Sequence, residues 1–209
     1  MKKGSVWITA GLLLIAAALA IVAYNVWDSR RADKRAREAL DKLEPLVAET
    51  VPMPDLTQVE DITEVEYPDY VLNPNMEMPV RNVDGYDYIG VLRIPVLELE
   101  LPVMDDWDYS RLKEAPCRYE GSAYLNDLVI AAHNYEWHFG KIRDLSMGDT
   151  VVFTDMDGNE FVYSVLEIET LTPYSVEQMT TGDWDLTLFT CTVGGQSRVT
   201  VRCEKIKTS

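Results

Sequence analysis

The sequence predicts a mainly β domain with short helices, preceded by an N-terminal helix long enough to cross a membrane. Residues 5–27 carry no charged side chain over 23 positions. From Tyr86 onward, short runs of β-branched and aromatic residues alternate with turn signals, which is typical of a closed barrel or a sandwich. These observations divide the chain into an anchor (1–28), a juxtamembrane helix with an acidic, proline-containing linker (29–85) and a β domain (86–209).

The charge of the chain is strongly acidic and unevenly distributed. The net charge is −16, yet residues 1–38 carry seven Lys or Arg against three Asp or Glu. The remaining residues therefore hold 12 basic and 32 acidic groups, a net of −20. Nucleic-acid binding is excluded for such a body, because phosphates require cationic contacts. Three cysteines do not suit a disulfide scaffold, although a Cys117–Cys203 pair remains open.

The apolar segment 5–27 is predicted to remain as a single-pass anchor in membrane lipid. As a helix it measures about 35 Å, enough to cross a hydrocarbon core of about 30 Å. Trp7 and Trp27 lie near its ends, as interfacial residues often do. The alternative is a signal peptide cleaved after Ala20, but apolar residues continue past that point. The basic residues that follow the segment would, taken alone, favour a cytoplasmic C-terminal side.

Residues 29–48 predict a helix that continues from the anchor and weakens at Pro45. Residues 49–85 combine prolines with acidic residues and keep neither helical nor strand periodicity, which indicates a linker or a loosely packed arm.

The elements of the β domain follow from alternation and turn signals. VLRIPVLELELPV (91–103) predicts a hairpin-like pair of strands interrupted at Pro95. Asp157-Gly158 predicts a hairpin joining 150–155 to 160–170. Further strands are predicted at 117–119, 127–133, 186–190 and 198–203, and short helical turns at 105–113 and 139–145.

Cys191, His133 and Arg198 are the candidate catalytic residues. Cys191 ends one predicted strand and faces Arg198 across a short loop that contains Gly194 and Gly195, where a cation favours the reactive thiolate. His133 ends another apolar strand, so the two strand ends can meet at one rim. The alternatives are a buried, inert cysteine, a structural histidine and an arginine in a rim salt bridge.

Other polar residues support weaker hypotheses. Thr190 and Asn134 are candidate substrate-binding residues, although Thr190 equally suits an ordinary strand position and Asn134 could orient the imidazole. His138 suits packing better than catalysis. Neither a metal site nor a cofactor is predicted. Three acidic residues near the 157–158 turn could bind Ca²⁺, although such residues are usually solvated: Asp155, Asp157 and Glu160.

Three segments resemble the sortases, cysteine transpeptidases of Gram-positive cell surfaces. TLFTC (187–191) followed by Arg198 is similar to their TLxTC…R signature. YIGVLRIPVLELELPV (88–103) resembles their opening strands, and LVIAAHNYEWHFGKIRDLSMGDTVVFTD (128–155) resembles their histidine segment. Two departures are Ala132, where glycine is common, and GSAYLN (121–126), which lacks the usual turn.

The resemblance implies an eight-stranded β-barrel and a catalytic trio of His133, Cys191 and Arg198. It also implies that Cys191 forms a thioester with an LPxTG-like sorting signal of a surface protein. The acceptor would be an amine from a cell-wall precursor or a pilin, and the catalytic domain would be extracellular. By the same resemblance, the 171–185 connection would form a groove wall. The segment 67–70 could be a lid, although a plain tether is favoured. A hydrolytic cysteine protease and a non-catalytic binding domain remain alternatives.

Overall fold

The computed structural model describes residues 2–47 and 67–206. Part of the predicted linker lies outside the described residues, including Pro52, Pro54 and the acidic residues Glu60, Asp61, Glu64 and Glu66.

The N-terminal segment forms one long helix, α1 (Lys2–Leu43). Its 42 residues correspond to about 63 Å at 1.5 Å per residue. A single turn of 3₁₀-helix (Glu44–Leu46) that contains Pro45 ends it, as the sequence predicts. Within the described residues, one helix is long and apolar enough to cross a membrane, and it is this one.

The first part of α1 exposes its apolar side chains, whereas the second part packs on the β domain. Trp7 and Leu14, for example, are mostly exposed, which suits contact with lipid. Beyond the apolar run, one face of the helix is buried at every third or fourth position, which is the spacing of a helical stripe: Ala32, Ala36, Ala39 and Leu43.

Within residues 67–206 the chain forms nine strands, of which eight close into a barrel. Their bounds are β1 (Arg81–Val83), β2 (Tyr86–Ile94), β3 (Leu99–Met104), β4 (Cys117–Glu120), β5 (Leu128–Ala132), β6 (Thr150–Asp155), β7 (Glu160–Leu171), β8 (Leu186–Cys191) and β9 (Arg198–Lys205). The order is β1-β2-β3-β4-β5-β8-β9-β7-β6, and β6 also pairs with β2. This pairing closes β2 to β9 and confirms the eight-stranded barrel.

The first strand, β1, lies before the predicted start of the β domain at Tyr86. It pairs with β2 in an antiparallel hairpin through Asp84-Gly85, both of which have positive φ angles. Asp-Gly is the usual sequence of such a two-residue turn. The end of the predicted linker is therefore already part of the sheet.

Short helices precede and connect the strands. α2 (Asp69–Leu72) and α3 (Val176–Thr180) are single turns of α-helix. Turns of 3₁₀-helix occupy Pro95–Leu97, Arg111–Lys113 and Ile142–Asp144. The last two confirm the predicted turns at 105–113 and 139–145 in shorter form, while α3 was not predicted.

The segment that contains Tyr70 packs at one end of the barrel. The Tyr70 ring stacks on Tyr124 at 4.7 Å and lies 5.2 Å from Phe161. Phe161 lies near the start of β7, whereas Leu171, at the end of β7, pairs with Arg198. Because these are opposite ends of one strand, Tyr70 lies away from the rim that carries Arg198, contrary to the lid alternative.

Candidate active site

Three adjacent strands bring the predicted catalytic residues together. β5 and β8 are parallel and in register, with Ala132 opposite Thr190, so His133 and Cys191 follow side by side. β8 and β9 are antiparallel, and Cys191 is directly opposite Arg198. Neighbouring strands are about 4.8 Å apart, so the three residues are consecutive neighbours at one rim.

Strand alternation places the three side chains on the outer face of the barrel. In β5, Leu128, Ile130 and Ala132 belong to the main core, whereas Val129 and Ala131 form a smaller cluster with Phe189 and Met179. Because side chains alternate between the two faces along a strand, His133, Cys191 and Arg198 fall on the same face as these outer residues. All three line one cleft with a volume of about 210 Å³.

Arg198 is oriented by the loop between β8 and β9. Its Nη1 donates hydrogen bonds of 3.1 Å to the carbonyls of both Gly195 and Ser197. The loop is closed by hydrogen bonds from Thr192 N to Ser197 O and from Ser197 N to Thr192 Oγ1. Gly194 and Gly195 have positive φ angles, which explains the glycines at this turn.

His133 is held by the loop that follows β5. Phe139 N donates to its carbonyl at 3.1 Å, and the Tyr135 ring lies 4.9 Å from the imidazole, centroid to centroid. A Cβ at Gly140 would lie 2.6 Å from the carbonyl oxygen of Tyr135 and 2.8 Å from that of Asn134. The loop therefore folds too tightly for a side chain at position 140.

The imidazole of His133 is half-buried and polarised by two nearby charges. Burial lowers the pKa of His133, the positive charge of Lys113 lowers it further, and the negative charge of Asp28 opposes both. Nε2 is buried and has no hydrogen-bond partner among residues 2–47 and 67–206. The hydrogen-bonding capacity of this nitrogen is therefore unused within the described residues.

The two predicted substrate-binding residues occupy different positions. Thr190 lines the cleft, but it is 3% exposed and its Oγ1 donates to Ala132 O at 2.8 Å. That bond ties β8 to β5 immediately before His133 and Cys191, which favours the structural alternative for Thr190. Asn134 is half-buried in the loop after His133. It is not among the described residues that line the cleft.

Comparisons with known proteins agree with this geometry. A model of the sortase domain matches residues 92–206, more than half of the chain. The chain belongs to the sortase family. Among curated proteins, none is significantly similar to it.

Solved sortase structures share the fold. Sortase C1 from Streptococcus suis is 25% identical, with a TM-score of 0.50 over 58% of this chain and 74% of that one. A Clostridium perfringens sortase D5 transpeptidase is 21% identical, with a TM-score of 0.53 over 66% and 94%. Sortase C of the same species, solved with the C-terminal cell wall sorting motif, is 23% identical, with a TM-score of 0.54 over 67% and 89%.

The cleft of this sortase has an aromatic wall and a helical wall. Tyr119 lies 5.0 Å from Trp107 and 5.1 Å from Phe189, ring centroid to ring centroid, and all three line the cleft. Val176 and Met179 of α3 also line the cleft. The 171–185 connection thus contributes to the cleft, as the resemblance implies. An apolar trough beside a thiol suits an extended peptide with apolar residues.

Arg202 supports the helical wall and was not singled out from the sequence. It is 2% exposed, and its Nη1 donates to the Met179 carbonyl and to Thr187 Oγ1, each at 3.0 Å. Nη2 donates to the Gln178 carbonyl and Nε to Glu169. A buried guanidinium therefore satisfies carbonyls at the end of α3. The only sequence signal is an arginine within an apolar strand.

The remaining candidates occupy structural positions. Cys117 and Cys203 are buried free thiols, so the possible disulfide is absent. His138 is fully buried, in agreement with a packing role. The Asp155 carboxylate accepts hydrogen bonds from Tyr124 Oη, from Asp157 N and from both the backbone and the side chain of Asn159. These donors satisfy the buried Asp155 carboxylate, whereas Asp157 and Glu160 form ion pairs with Arg81 and Arg93.

Proposed function

We propose that this sortase is a membrane-anchored cysteine transpeptidase in which Cys191, His133 and Arg198 are catalytic. The observation that supports this most is their juxtaposition on three consecutive strands, with all three side chains in one cleft. A thiol, a proton carrier and a cation are the groups that acyl transfer through a thioester requires.

The reaction begins when the Cys191 thiolate attacks the backbone carbonyl that follows a threonine-like residue of an LPxTG-like signal. The tetrahedral intermediate collapses as the C–N bond breaks, leaving a thioester on Sγ. The His133 imidazolium gives its proton to the departing amine. An acceptor amine then attacks the thioester carbonyl and passes a proton to His133, and the Cys191 thiolate leaves.

Arg198 acts on the oxygen of the scissile carbonyl. Its bonds to the loop carbonyls fix the guanidinium opposite Cys191, where a donor can stabilise the charge that develops on that oxygen. Removal of one such donor costs about 10²–10³ in rate in other enzymes. Thr190 holds the two strand ends in register, and Asn134 remains a candidate for orienting the imidazole.

The partners follow from the family and the anchor. The substrate is a surface protein with a C-terminal sorting signal, and the acceptor is an amine of a cell-wall precursor or a pilin. The C. perfringens sortase C solved with the cell wall sorting motif supports the substrate class. The apolar run of α1 holds the enzyme in the cell membrane, with the barrel on the extracellular side where such substrates are displayed.

The test is trapping of the acyl-enzyme by mass spectrometry with a library of sorting-signal peptides. We expect a peptide adduct on Cys191 in the wild type, and neither adduct nor cleavage in Cys191→Ala. His133→Ala should lose at least about 10² of the cleavage rate. Cleavage that survives in Cys191→Ala would refute the mechanism.

Selective alkylation separates this proposal from a binding domain. Burial raises the pKa of Cys117 and of Cys203 to about 12, so near neutral pH only Cys191 should react. Labelling of Cys191 only after unfolding would favour the non-catalytic alternative. Product analysis with and without an added amine separates transpeptidation from hydrolysis, since a protease gives the same product in both.

A further inference from the structure

The anchor helix reaches the active-site loop through one hydrogen bond. Asp28 is the first charged residue after the apolar run 5–27. Its Oδ2 accepts a 2.6 Å hydrogen bond from the Tyr135 hydroxyl. The Tyr135 ring lies 4.9 Å from the His133 imidazole, with 32° between the ring planes. A continuous set of contacts therefore leads from α1 to the proposed proton carrier.

The position of Asp28 is fixed by the docking of α1 on the barrel. Ala32, Ala36 and Leu43 are at most 3% exposed. Arg35 pairs with Glu114, and the Arg37 guanidinium lies 5.5 Å from the centre of the Trp137 ring. Contacts along this length of helix hold the carboxylate beside the 133–140 loop.

The charges around His133 give this contact an electrostatic consequence. The groups that act on the imidazole are Lys113, whose positive charge lowers its pKa, and Asp28, whose negative charge raises it. Burial, followed by the bond to Asp28, raises the pKa of Tyr135, so the phenol stays protonated and donates. The second imidazole, His138, lies 5.5 Å from the Tyr135 ring.

We propose that Asp28 is a positioning residue of the active site, which holds the Tyr135 ring against His133 and stabilises the imidazolium. The anchor helix is then a component of the catalytic apparatus and not only a tether. Because Asp28 directly follows the apolar run, the same contact places His133 at the edge of the bilayer. This inference rests on the proposed function.

The test compares four variants of the full chain in lipid nanodiscs: Asp28→Asn, Tyr135→Phe, the double variant and Asp28→Glu. The control is Asp41→Asn, which removes the same charge from an exposed position of the same helix. Two quantities are measured: kcat and KM for a sorting-signal peptide with an amine acceptor, and the pKa of His133 by NMR. The chain has only two histidines, and a His138 variant assigns the signals.

Asp28→Asn and Tyr135→Phe should each lower kcat about tenfold, the value of one charge-assisted hydrogen bond, with KM nearly unchanged. The double variant should be no worse than Asp28→Asn alone, since Tyr135 acts through its hydrogen bond to the Asp28 carboxylate. Asp28→Asn should also lower the pKa of His133, whereas Asp41→Asn should change neither quantity and Asp28→Glu should restore part of kcat.

An unchanged kcat and an unchanged His133 pKa in Asp28→Asn would overturn the proposal, as would additive losses in the double variant. Failure of the proposed function can be distinguished from failure of the role proposed for Asp28. If the wild type acylates no peptide, the proposed function fails, but the His133 pKa still reports whether Asp28 acts on the imidazole.

Discussion

Acid should destabilise this sortase through one buried imidazole, that of His138. The side chain is fully buried, and neither ring nitrogen has a hydrogen-bond partner among residues 2–47 and 67–206. Burial, together with the neighbouring His133, lowers the pKa of His138 from 6.5 to about 4. Below pH 6.5 the unfolded chain therefore takes up a proton that the folded chain resists, and stability falls as the pH falls.

The magnitude follows from the gap between the two pKa values, which is 6.5 minus about 4. At about 1.4 kcal/mol per unit, the loss in free energy of unfolding reaches about 3 kcal/mol once the pH approaches the folded value. The measurement is urea unfolding of the full chain in detergent, followed by tryptophan fluorescence, at pH values between neutral and about 4.5.

His138→Phe removes the titrating group while keeping an aromatic ring. Its stability should depend less on pH than that of the wild type, and the difference between the two slopes isolates His138, because His133 and all carboxylates are present in both. His138→Asn provides a second comparison should the Phe ring overpack the site. Equal slopes in the wild type and both variants would refute the reasoning.

Two further predictions concern the supports of the cleft. Arg202→Lys keeps the charge but cannot satisfy both carbonyls of α3 and Glu169 together, so α3 should be held less firmly at the cleft. The KM for peptide should rise about tenfold with kcat nearly unchanged. An equal fall in kcat would contradict a role confined to the cleft wall. Gly140→Ala should lower kcat by about 10- to 100-fold, because its Cβ would meet backbone oxygens and displace the His133 loop. Gly11→Ala is the matched control, since a Cβ there meets nothing within 4 Å.

Local patterns in the sequence predicted eight of the nine described strands and the neighbouring positions of His133, Cys191 and Arg198. Alternation and the Asp157-Gly158 turn predicted β6 and β7, and the structure confirms that hairpin. The same signal at Asp84-Gly85 was overlooked because prolines and acidic residues precede it, although the pair forms the turn from β1 to β2. A two-residue turn can be predicted from the sequence when both of its flanking strands are also recognised.

Contacts between distant segments were not predictable in this way. Arg202 bonds to a carbonyl 23 residues earlier, and Tyr135 bonds to a carboxylate 107 residues earlier. A backbone carbonyl has no sequence signal, and an acidic residue at the end of an apolar helix is common. Such partners are fixed by the docking of α3 and α1 on the barrel, which depends on the whole fold.

The face of the barrel that carries the site was also undetermined by the sequence. β5 is apolar at every position, and all five of its residues are buried, so alternation could not distinguish inside from outside. The outer face is buried because α3 and the aromatic residues cover it, forming the cluster of Val129, Ala131, Met179 and Phe189. Ala131 of β5 and Phe189 of β8 line the cleft. The apolar outer face that left the orientation of His133 and Cys191 undetermined therefore also provides the apolar lining beside them.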